Sequence, residues 1–301
     1  MMTMTAEAAL DAYEAARHRL PKLGETRGRA EKAACLVDLA DRFDVFLLDA
    51  FGVLNVGETV IPGAPESVAA LQAMGKRVLV VSNAASVGKE ILLTKYHALG
   101  FAFAPEDVVT SRETLSARMG GKADRLWGIV APDGADLSDL GLTQWEPLRD
   151  DPDPYARCEG VILIGTGSWS EPRQALLDKA FRDGPRPVLV ANPDIVAPRE
   201  TGFSVEPGLL AHRLADLTGA APEFYGKPFA NIFELAFARL EDVDPSRVLM
   251  VGDSLHTDIL GAQAFGISAA LIPGFGFFAG GGAEAAIART GIAPDFIVER
   301  P

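Results

Sequence analysis

Cysteine is scarce in this sequence, and its scarcity excludes two ways of stabilising a fold. Among 301 residues only Cys35 and Cys158 occur, far apart and without the ligand spacing of a zinc site. Disulfide-rich secreted domains carry several cysteines at short intervals. We therefore expect two reduced thiols packed as small apolar groups, and a fold that depends on its hydrophobic core.

Basic residues and long apolar runs are also in short supply. The chain has 28 Lys and Arg against 41 Asp and Glu, which gives a formal net charge of −13. This charge repels a phosphate backbone at long range, so we expect no nucleic-acid partner. No run of 18 apolar residues could span a bilayer, and MMTMTAEAALDAYEA lacks the basic start and apolar core of a signal peptide. We expect a cytoplasmic protein without a membrane partner, and we leave a homodimer open.

Short continuous apolar runs are what the sequence does contain. VFLL, VLVV, VILI, VLVA and VLMV, at 45–48, 78–81, 161–164, 188–191 and 248–251, are typical of strands covered on both faces. Amphipathic segments separate them, which predicts an α/β fold with a doubly wound parallel sheet. The length favours two domains. Residues 1–40 and the segment AEKAACLVDLADRF are predicted as a helical N-terminal extension.

Three of these runs end in polar clusters. Asp49 follows VFLL, Ser82 and Asn83 follow VLVV, and GDSLHTD follows VLMV. In open α/β sheets, ligands bind beyond the carboxyl ends of the strands, so these distant residues can converge. In YGKPFANIFELAF, Lys227 stands just before a helix whose N-terminal amides favour an anion. The four segments together predict an anion-binding site.

The same four segments resemble the motifs of a known family. In chain order, DAFGV with Asp49, VSN with Ser82, GKP with Lys227 and GDSLHTD with Asp253 are similar to motifs of the haloacid dehalogenase superfamily. The long insert between VSN and GKP, with ANPD near its end, resembles class IIA, the NagD-like phosphatases. The resemblance covers about residues 43–275. It implies a Rossmann-like core at 1–116 and 204–301 and a smaller α/β cap domain at 117–203.

The resemblance implies a phosphoryl-transfer role for the first three motifs. Asp49 would be the nucleophile that becomes a phosphoaspartate. Ser82, Asn83 and Lys227 would bind the phosphoryl group. A carboxylate attacks phosphorus only when the charge of the phosphoryl oxygens is neutralised, and these groups with a metal would supply that.

A magnesium site is implied by the first and last motifs. Asp49 and Asp253 would supply the hard oxygen ligands that Mg²⁺ prefers. The backbone carbonyl of Phe51 would be a third ligand, and Asp258 would support the metal-bound waters. Asp49 taken alone is better explained as a turn residue and GDS as a common turn, and only the combination in family order favours a site.

Two further positions concern the insert and the last motif. The resemblance places Asn192 and Asp194 where the insert returns to the core, facing the substrate. N-P-D is also an ordinary turn sequence, and both interpretations stay open. His256 has no chemical role in the family pattern, so we expect an exposed loop histidine.

Phe51 departs from the phosphatase pattern. Most phosphatases of this superfamily carry an aspartate there, which protonates the leaving oxygen, and phenylalanine cannot move a proton. The sequence therefore predicts a magnesium-dependent phosphohydrolase of a small phosphorylated metabolite with impaired acid–base catalysis. A substrate with a good leaving group, a proton donor in the cap, or a long-lived phosphoenzyme would each accommodate Phe51. DAFGV is also similar to the D-A-Y-G motif of true dehalogenases, so a 2-haloacid-type dehalogenase is one alternative and a non-catalytic phosphate-ligand sensor is another.

Overall fold

A computed structural model describes residues 3–24, 28–199 and 202–301 of the chain. In chain order its strands β1 to β17 are Thr3–Met4, Glu31–Cys35, Val45–Leu48, Asn55–Val56, Thr59–Val60, Arg77–Ser82, Val108–Thr110, Trp127–Val130, Trp145–Pro147, Gly160–Leu163, Val188–Val190, Val196–Pro198, Phe203–Val205, Glu223–Phe224, Val248–Gly252, Ser268–Leu271 and Phe296–Arg300. Its helices α1 to α10 are Ala6–Ala16, Ala64–Ala73, Lys89–Ala98, Ser111–Ser116, Asp153–Arg157, Glu171–Asp183, Pro207–Thr218, Ala230–Phe237, Leu260–Phe265 and Ala283–Thr290. All five apolar runs form strands, as predicted.

The larger sheet has seven strands in the order β2-β17-β16-β15-β3-β6-β7, and all its pairs are parallel. Strand β3 shows why both faces are covered. Val45 and Leu47 pack into one apolar cluster, whereas Phe46 and Leu48 pack into another on the opposite face. Alternate side chains of a strand point to opposite faces, so four consecutive apolar residues require a covered sheet. The predicted doubly wound α/β fold is confirmed.

A second, smaller sheet has five parallel strands in the order β14-β11-β10-β8-β9. It has its own apolar clusters, one of which includes side chains of α6 and α7. The sheet begins at Trp127, and its last strand, β14, lies beyond residue 203, at which we predicted the insert to end. Part of the predicted core segment 204–301 is therefore continuous with the smaller sheet, because β14 pairs with β11.

The N-terminal extension is only partly helical, so the prediction for residues 1–40 is wrong in its second half. Helix α1 forms, but Glu31–Cys35 is strand β2, paired in parallel with β17 at the edge of the larger sheet. Ala and Glu favour a helix by intrinsic propensity. The unpaired edge of β17 offers this segment backbone hydrogen bonds, and tertiary pairing overrides the weak local preference.

The N-terminal strand and helix, β1 and α1, contact both the segment in which the insert returns and the core of the larger sheet. Strand β1 pairs with β13 in a three-stranded antiparallel sheet with β12, at the return of the insert. Helix α1, capped by the Thr5 side chain, packs its buried face into the core cluster beside β15 and α9. No helix in the described ranges is both long and apolar enough to cross a bilayer.

Candidate functional site

The site lies at the carboxyl ends of three adjacent strands. Strands β15, β3 and β6 are neighbours in the larger sheet, and Asp253, Asp49 and Ser82 stand at their ends. Carboxyl ends of parallel strands share one edge, which brings together residues that are 204 positions apart at the extremes, from 49 to 253. The predicted convergence of the first, second and fourth motifs is thus found in the structure.

Lys227 lies between two carboxylates. Its Nζ is 2.7 Å from an oxygen of Asp49 and 2.7 Å from an oxygen of Asp258, and its side chain is only 1% exposed. Burial alone would lower the pKa of this lysine, but the charges of Asp258 and Asp49 outweigh burial and raise it. The ammonium therefore stays charged, as a buried cation must be paired to persist.

The three acids form one cluster. Asp49, Asp253 and Asp258 each offer a carboxylate oxygen within 4.8 Å of the others. One oxygen of Asp258 accepts hydrogen bonds from the backbone N–H groups of Asp253 and Ser254, both at 3.1 Å, and the other faces Lys227. Burial first, then the charges of Asp258 and Asp49, raises the pKa of Asp253 well above its usual value. Three acids with one lysine leave an excess of negative charge.

Glycines leave the space around this cluster. A Cβ at Gly276 would stand 1.7 Å from an oxygen of Asp253, and one at Gly52 would stand 2.4 Å from it. The backbone N–H of Phe277 donates to the same carboxylate at 2.7 Å. The excess charge, the oxygen donors and the close backbone are features of a site for a hard divalent cation. The Phe51 carbonyl accepts no hydrogen bond from the described residues, which leaves it available as a further oxygen ligand.

Asn83 connects the insert to the lysine. Its amide N–H groups donate to Asp194 at 2.7 Å and to the Lys227 carbonyl at 2.9 Å, and its oxygen accepts from the Lys227 N–H at 2.7 Å. The side chain is thus fully engaged, so its predicted contact with phosphate would have to come from its backbone. Ser82 accepts a hydrogen bond from Ala84 N–H at 3.2 Å, and its hydroxyl also hydrogen-bonds to the buried Tyr96, so a bound phosphoryl group would compete with Tyr96 for it.

A cavity of about 330 Å³ opens above these groups. Asp49, Ser82, Asn83 and Asp253 line one side, and the segment in which the insert returns to the core lines the other with Asn192, Asp194, Arg199 and Glu206. Within that segment, Asn192 accepts from Asp194 N–H at 2.9 Å and faces Glu206 at 3.3 Å. The predicted substrate-facing pair does reach the cavity, and its turn geometry is also present.

Comparison with known proteins identifies the family. A model described as haloacid dehalogenase-like hydrolase matches residues 46–137, and a HAD-hydrolase-like model matches 224–300. Human glycerol-3-phosphate phosphatase is 30% identical over 266 residues, which cover 80% of this chain and 81% of that protein. The chain belongs to the haloacid dehalogenase-like hydrolases. Within them it is a class IIA, NagD-like member and a phosphatase-type hydrolase.

Solved structures agree with this assignment. A possible sugar phosphatase of the HAD superfamily from Cytophaga hutchinsonii superposes with a TM-score of 0.77 at 25% identity, covering 90% of this chain and 98% of its own. Glycerol phosphate phosphatase from Mycobacterium tuberculosis, in complex with magnesium, has a TM-score of 0.61 at 28% identity, covering 78% of this chain and 68% of its own. Both are HAD-type folds that cover more than three quarters of the chain.

Two cationic side chains lie over the ring of Phe51. Lys95 Nζ lies 5.5 Å from the centroid of the ring and Arg199 Cζ lies 5.3 Å from it, and the side chain is half-buried at the wall of the cavity. Cations over an aromatic face are attracted by its quadrupole. Phe51 thereby contacts both a core helix, α3, and the segment in which the insert returns to the core, and it brings no group that moves a proton.

The sequence analysis predicted His256 wrongly and did not identify Tyr13, although both lie near the HAD site. His256 is 2% exposed, in a π-helical turn, where it stacks on Tyr13 at 4.9 Å and bonds to Glu14 at 2.6 Å. The prediction of an exposed loop histidine is therefore wrong, because α1 covers the turn. Burial lowers the pKa of His256 to about 4, so it is neutral near pH 7. Tyr13 itself lines the cavity, and no pattern in the sequence indicated this.

Proposed function

We propose that the chain is a magnesium-dependent phosphohydrolase of small phosphorylated metabolites, which works through a phosphoaspartate at Asp49. The observation that carries the proposal is the 2.7 Å pairing of Asp49, which lines the cavity, with the buried Lys227. A carboxylate and a fixed ammonium beside it suit attack on phosphorus, since the cation offsets the negative charge that meets the nucleophile.

The chain's own residues have separate roles in this reaction. Asp49 attacks, so that a bond forms between its carboxylate oxygen and phosphorus while the bond to the leaving oxygen breaks. Lys227 and the Ser82 hydroxyl donate to the phosphoryl oxygens, and Asp258 holds the lysine in place. Water then hydrolyses the acyl phosphate and releases inorganic phosphate.

The acid cluster fits a magnesium ion. Asp49 and Asp253 would hold it, together with the Phe51 carbonyl, and Asp258 would support it through the hydrogen bonds that it accepts from the backbone of the same loop. When bound, the ion would neutralise charge on the phosphoryl oxygens. A relative of known structure was solved in complex with magnesium and in complex with calcium, which supports a divalent cation at this site.

Phe51 makes the leaving group important. An alkoxide that leaves without a nearby acid is costly, whereas a phenolate or a carboxylate leaves readily. Relatives carry names such as 4-nitrophenylphosphatase and acid sugar phosphatase, which supports small esters as the substrate class. We infer that aryl and acyl phosphates are hydrolysed faster than alkyl phosphates.

The alternatives are less well supported. Carbon displacement by a dehalogenase needs no metal, whereas the three-acid cluster has the composition of a metal site. A phosphate-ligand sensor has no need of a nucleophile paired with a lysine. Release of inorganic phosphate from alkyl, aryl and acyl phosphates, with magnesium and then with EDTA, tests the proposal. Metal-dependent release supports it, and neither release nor a phosphorylated species by intact mass would favour one of the alternatives.

Asp253→Ala should weaken magnesium binding by at least about tenfold, because one of two direct carboxylate ligands is lost. Titration calorimetry of the folded variant measures this without any turnover. Asp183→Ala, at an exposed acid of α6, is the control for a change in net charge alone. Equal affinity in the two variants would remove Asp253 from the site.

Magnesium affinity should also fall as the pH is lowered through about 6. Burial first, with help from the charge of Asp258, raises the pKa of Asp49 to about 6, although Lys227 opposes the shift. Above this pH the carboxylate is ionised and can bind the cation, and below it protons compete. Burial and the charge of Asp258 also raise the pKa of Asp253, so protons compete with the cation at this second ligand as well. Calorimetry between pH 5 and pH 7.5 checks this, and a flat profile would contradict it.

A further inference from the structure

One wall of the active-site cavity comes from outside the residues that the family models match. Tyr13, on helix α1, lines the cavity, whereas the first matched residue is 46. The side chain is only 2% exposed, so it is part of the packed structure. The helix that carries it is capped by Thr5 and paired through Asp11 with Arg289, and the turn that follows it is paired through Arg19 with Asp216.

The tyrosine ring is held on two sides. It stacks on His256 with an interplanar angle of 10° and packs against Phe277 at 6.4 Å. The hydroxyl oxygen accepts a hydrogen bond from Ile195 N–H at 3.1 Å. Among residues 3–24, 28–199 and 202–301, no acceptor is present for the hydroxyl's own proton. A buried donor without a partner is costly, and a bound ligand that offers an oxygen would remove this cost.

The position of Tyr13 also indicates which part of a substrate it would meet. In the proposed reaction, Lys227 and Ser82 donate hydrogen bonds to the phosphoryl oxygens at the strand ends. Tyr13 accepts its hydrogen bond from Ile195, the residue after Asp194. It therefore lies on the side of the cavity where the insert returns to the core. The leaving oxygen of the substrate is expected on this side, and it receives no proton from position 51, because Phe51 stands where most of these phosphatases carry an aspartate.

We propose that Tyr13 is a substrate-binding residue whose hydroxyl donates a hydrogen bond to the oxygen that links phosphorus to the organic group. The proposal rests on the phosphohydrolase function above and adds a residue to it. The hydroxyl keeps its proton throughout, so it stabilises charge on the leaving oxygen without being consumed. Burial first, and then the charge of Asp194, raises the pKa of Tyr13 well above 10, which keeps the donor protonated at every working pH.

Tyr13→Phe tests the proposal, because it removes only the hydroxyl and keeps the stacked ring. We expect kcat/KM for an alkyl phosphate to fall by about tenfold to a hundredfold, in the range of a lost hydrogen bond to a charged group. We expect a smaller loss for 4-nitrophenyl phosphate, whose leaving oxygen needs less stabilisation. Equal losses on both substrates would overturn the proposal, since a structural role makes no distinction between leaving groups.

Glu14→Ala is the matched control. Tyr13→Phe also leaves Ile195 N–H without its acceptor, which weakens the attachment of α1. Glu14→Ala removes another hydrogen bond of the same helix, to His256, at a residue that does not line the cavity. A leaving-group-dependent loss of the same size in Glu14→Ala would assign the effect to the helix and overturn the role of the hydroxyl.

A binding measurement separates this proposal from the function on which it rests. In an Asp49→Asn background, calorimetry compares an alkyl phosphate with inorganic phosphate, with and without Tyr13→Phe. We expect the ester to bind about fivefold to tenfold more weakly in the double variant, and inorganic phosphate, whose fourth oxygen can take the place of the bridging oxygen, to weaken by no more than this. Unchanged ester binding would overturn the role of Tyr13 even in an active phosphatase. A loss for the ester that Glu14→Ala in the same background does not reproduce would support it even if phosphate release were absent.

Discussion

Asp49→Asn should abolish release of inorganic phosphate, with a fall of about four orders of magnitude or more. The amide has the volume of the carboxylate but is not a nucleophile, so the phosphoaspartate cannot form. The same variant should show no phosphorylated species by intact mass after incubation with an aryl phosphate and magnesium. Turnover at the original rate would show that the covalent route through Asp49 is wrong.

The loss should not come from unfolding. Asp49 has a folded-state pKa of about 6, above the value of 3.8 for a free carboxyl. The folded protein therefore binds this proton more tightly than the unfolded chain, so the contribution of Asp49 to stability declines as the pH rises from about 4 to about 6. At neutral pH the amide removes that cost and leaves Lys227 paired with Asp258. The thermal midpoint of Asp49→Asn should be unchanged or higher than that of the unsubstituted protein. A lower midpoint would assign the loss of activity to unfolding and not to the missing nucleophile.

Phe51→Asp should raise the hydrolysis of alkyl phosphates by about a hundredfold. General acid–base catalysis contributes about a hundredfold to ten-thousandfold, and the chain lacks the acid at this position. We expect the lower end, because Lys95 and Arg199 lie close to the site of the new carboxyl and favour its ionised form. Initial rates of phosphate release at several pH values measure the effect, which should be largest in mildly acidic solution.

Phe51→Asn is the control for this gain. It removes the same ring and the same packing, but its amide cannot transfer a proton. If both variants gained equally, the ring would be an obstacle in the cavity rather than the place of a missing acid. If neither gained, we would conclude that the enzyme acts on substrates whose leaving group needs no proton.

The sequence predicted the residues that stand at strand ends. Continuous apolar runs require strands covered on both faces, and parallel strands align their carboxyl ends, so Asp49, Ser82 and Asp253 had to meet. Lys227 was found from its place before a helix and from the family order. For these residues, the apolar runs in the sequence and the parallel topology of the sheet are enough to predict that their side chains meet at one edge of the sheet.

Other residues depend on contacts that local pattern does not encode. Glu31–Cys35 is a strand because β17 has an open edge, although its composition favours a helix. His256 is buried because α1 lies over it, and Tyr13 reaches the cavity for the same reason. The docking of one helix against a distant surface depends on the whole fold, so its consequences appear only in three dimensions.

Asn83 has a consequence for the order of events during synthesis. Its single amide closes loops of 111 residues to Asp194 and 144 residues to Lys227. Contacts at such separations form late in folding, because the chain loses loop entropy before it gains them. A nascent chain that has reached the middle of the sequence carries the proposed nucleophile, Asp49, but has neither Lys227 nor Asp253. A partly synthesised chain would therefore be inert toward phosphate esters, and the catalytic centre would be completed only after most of the protein has left the ribosome.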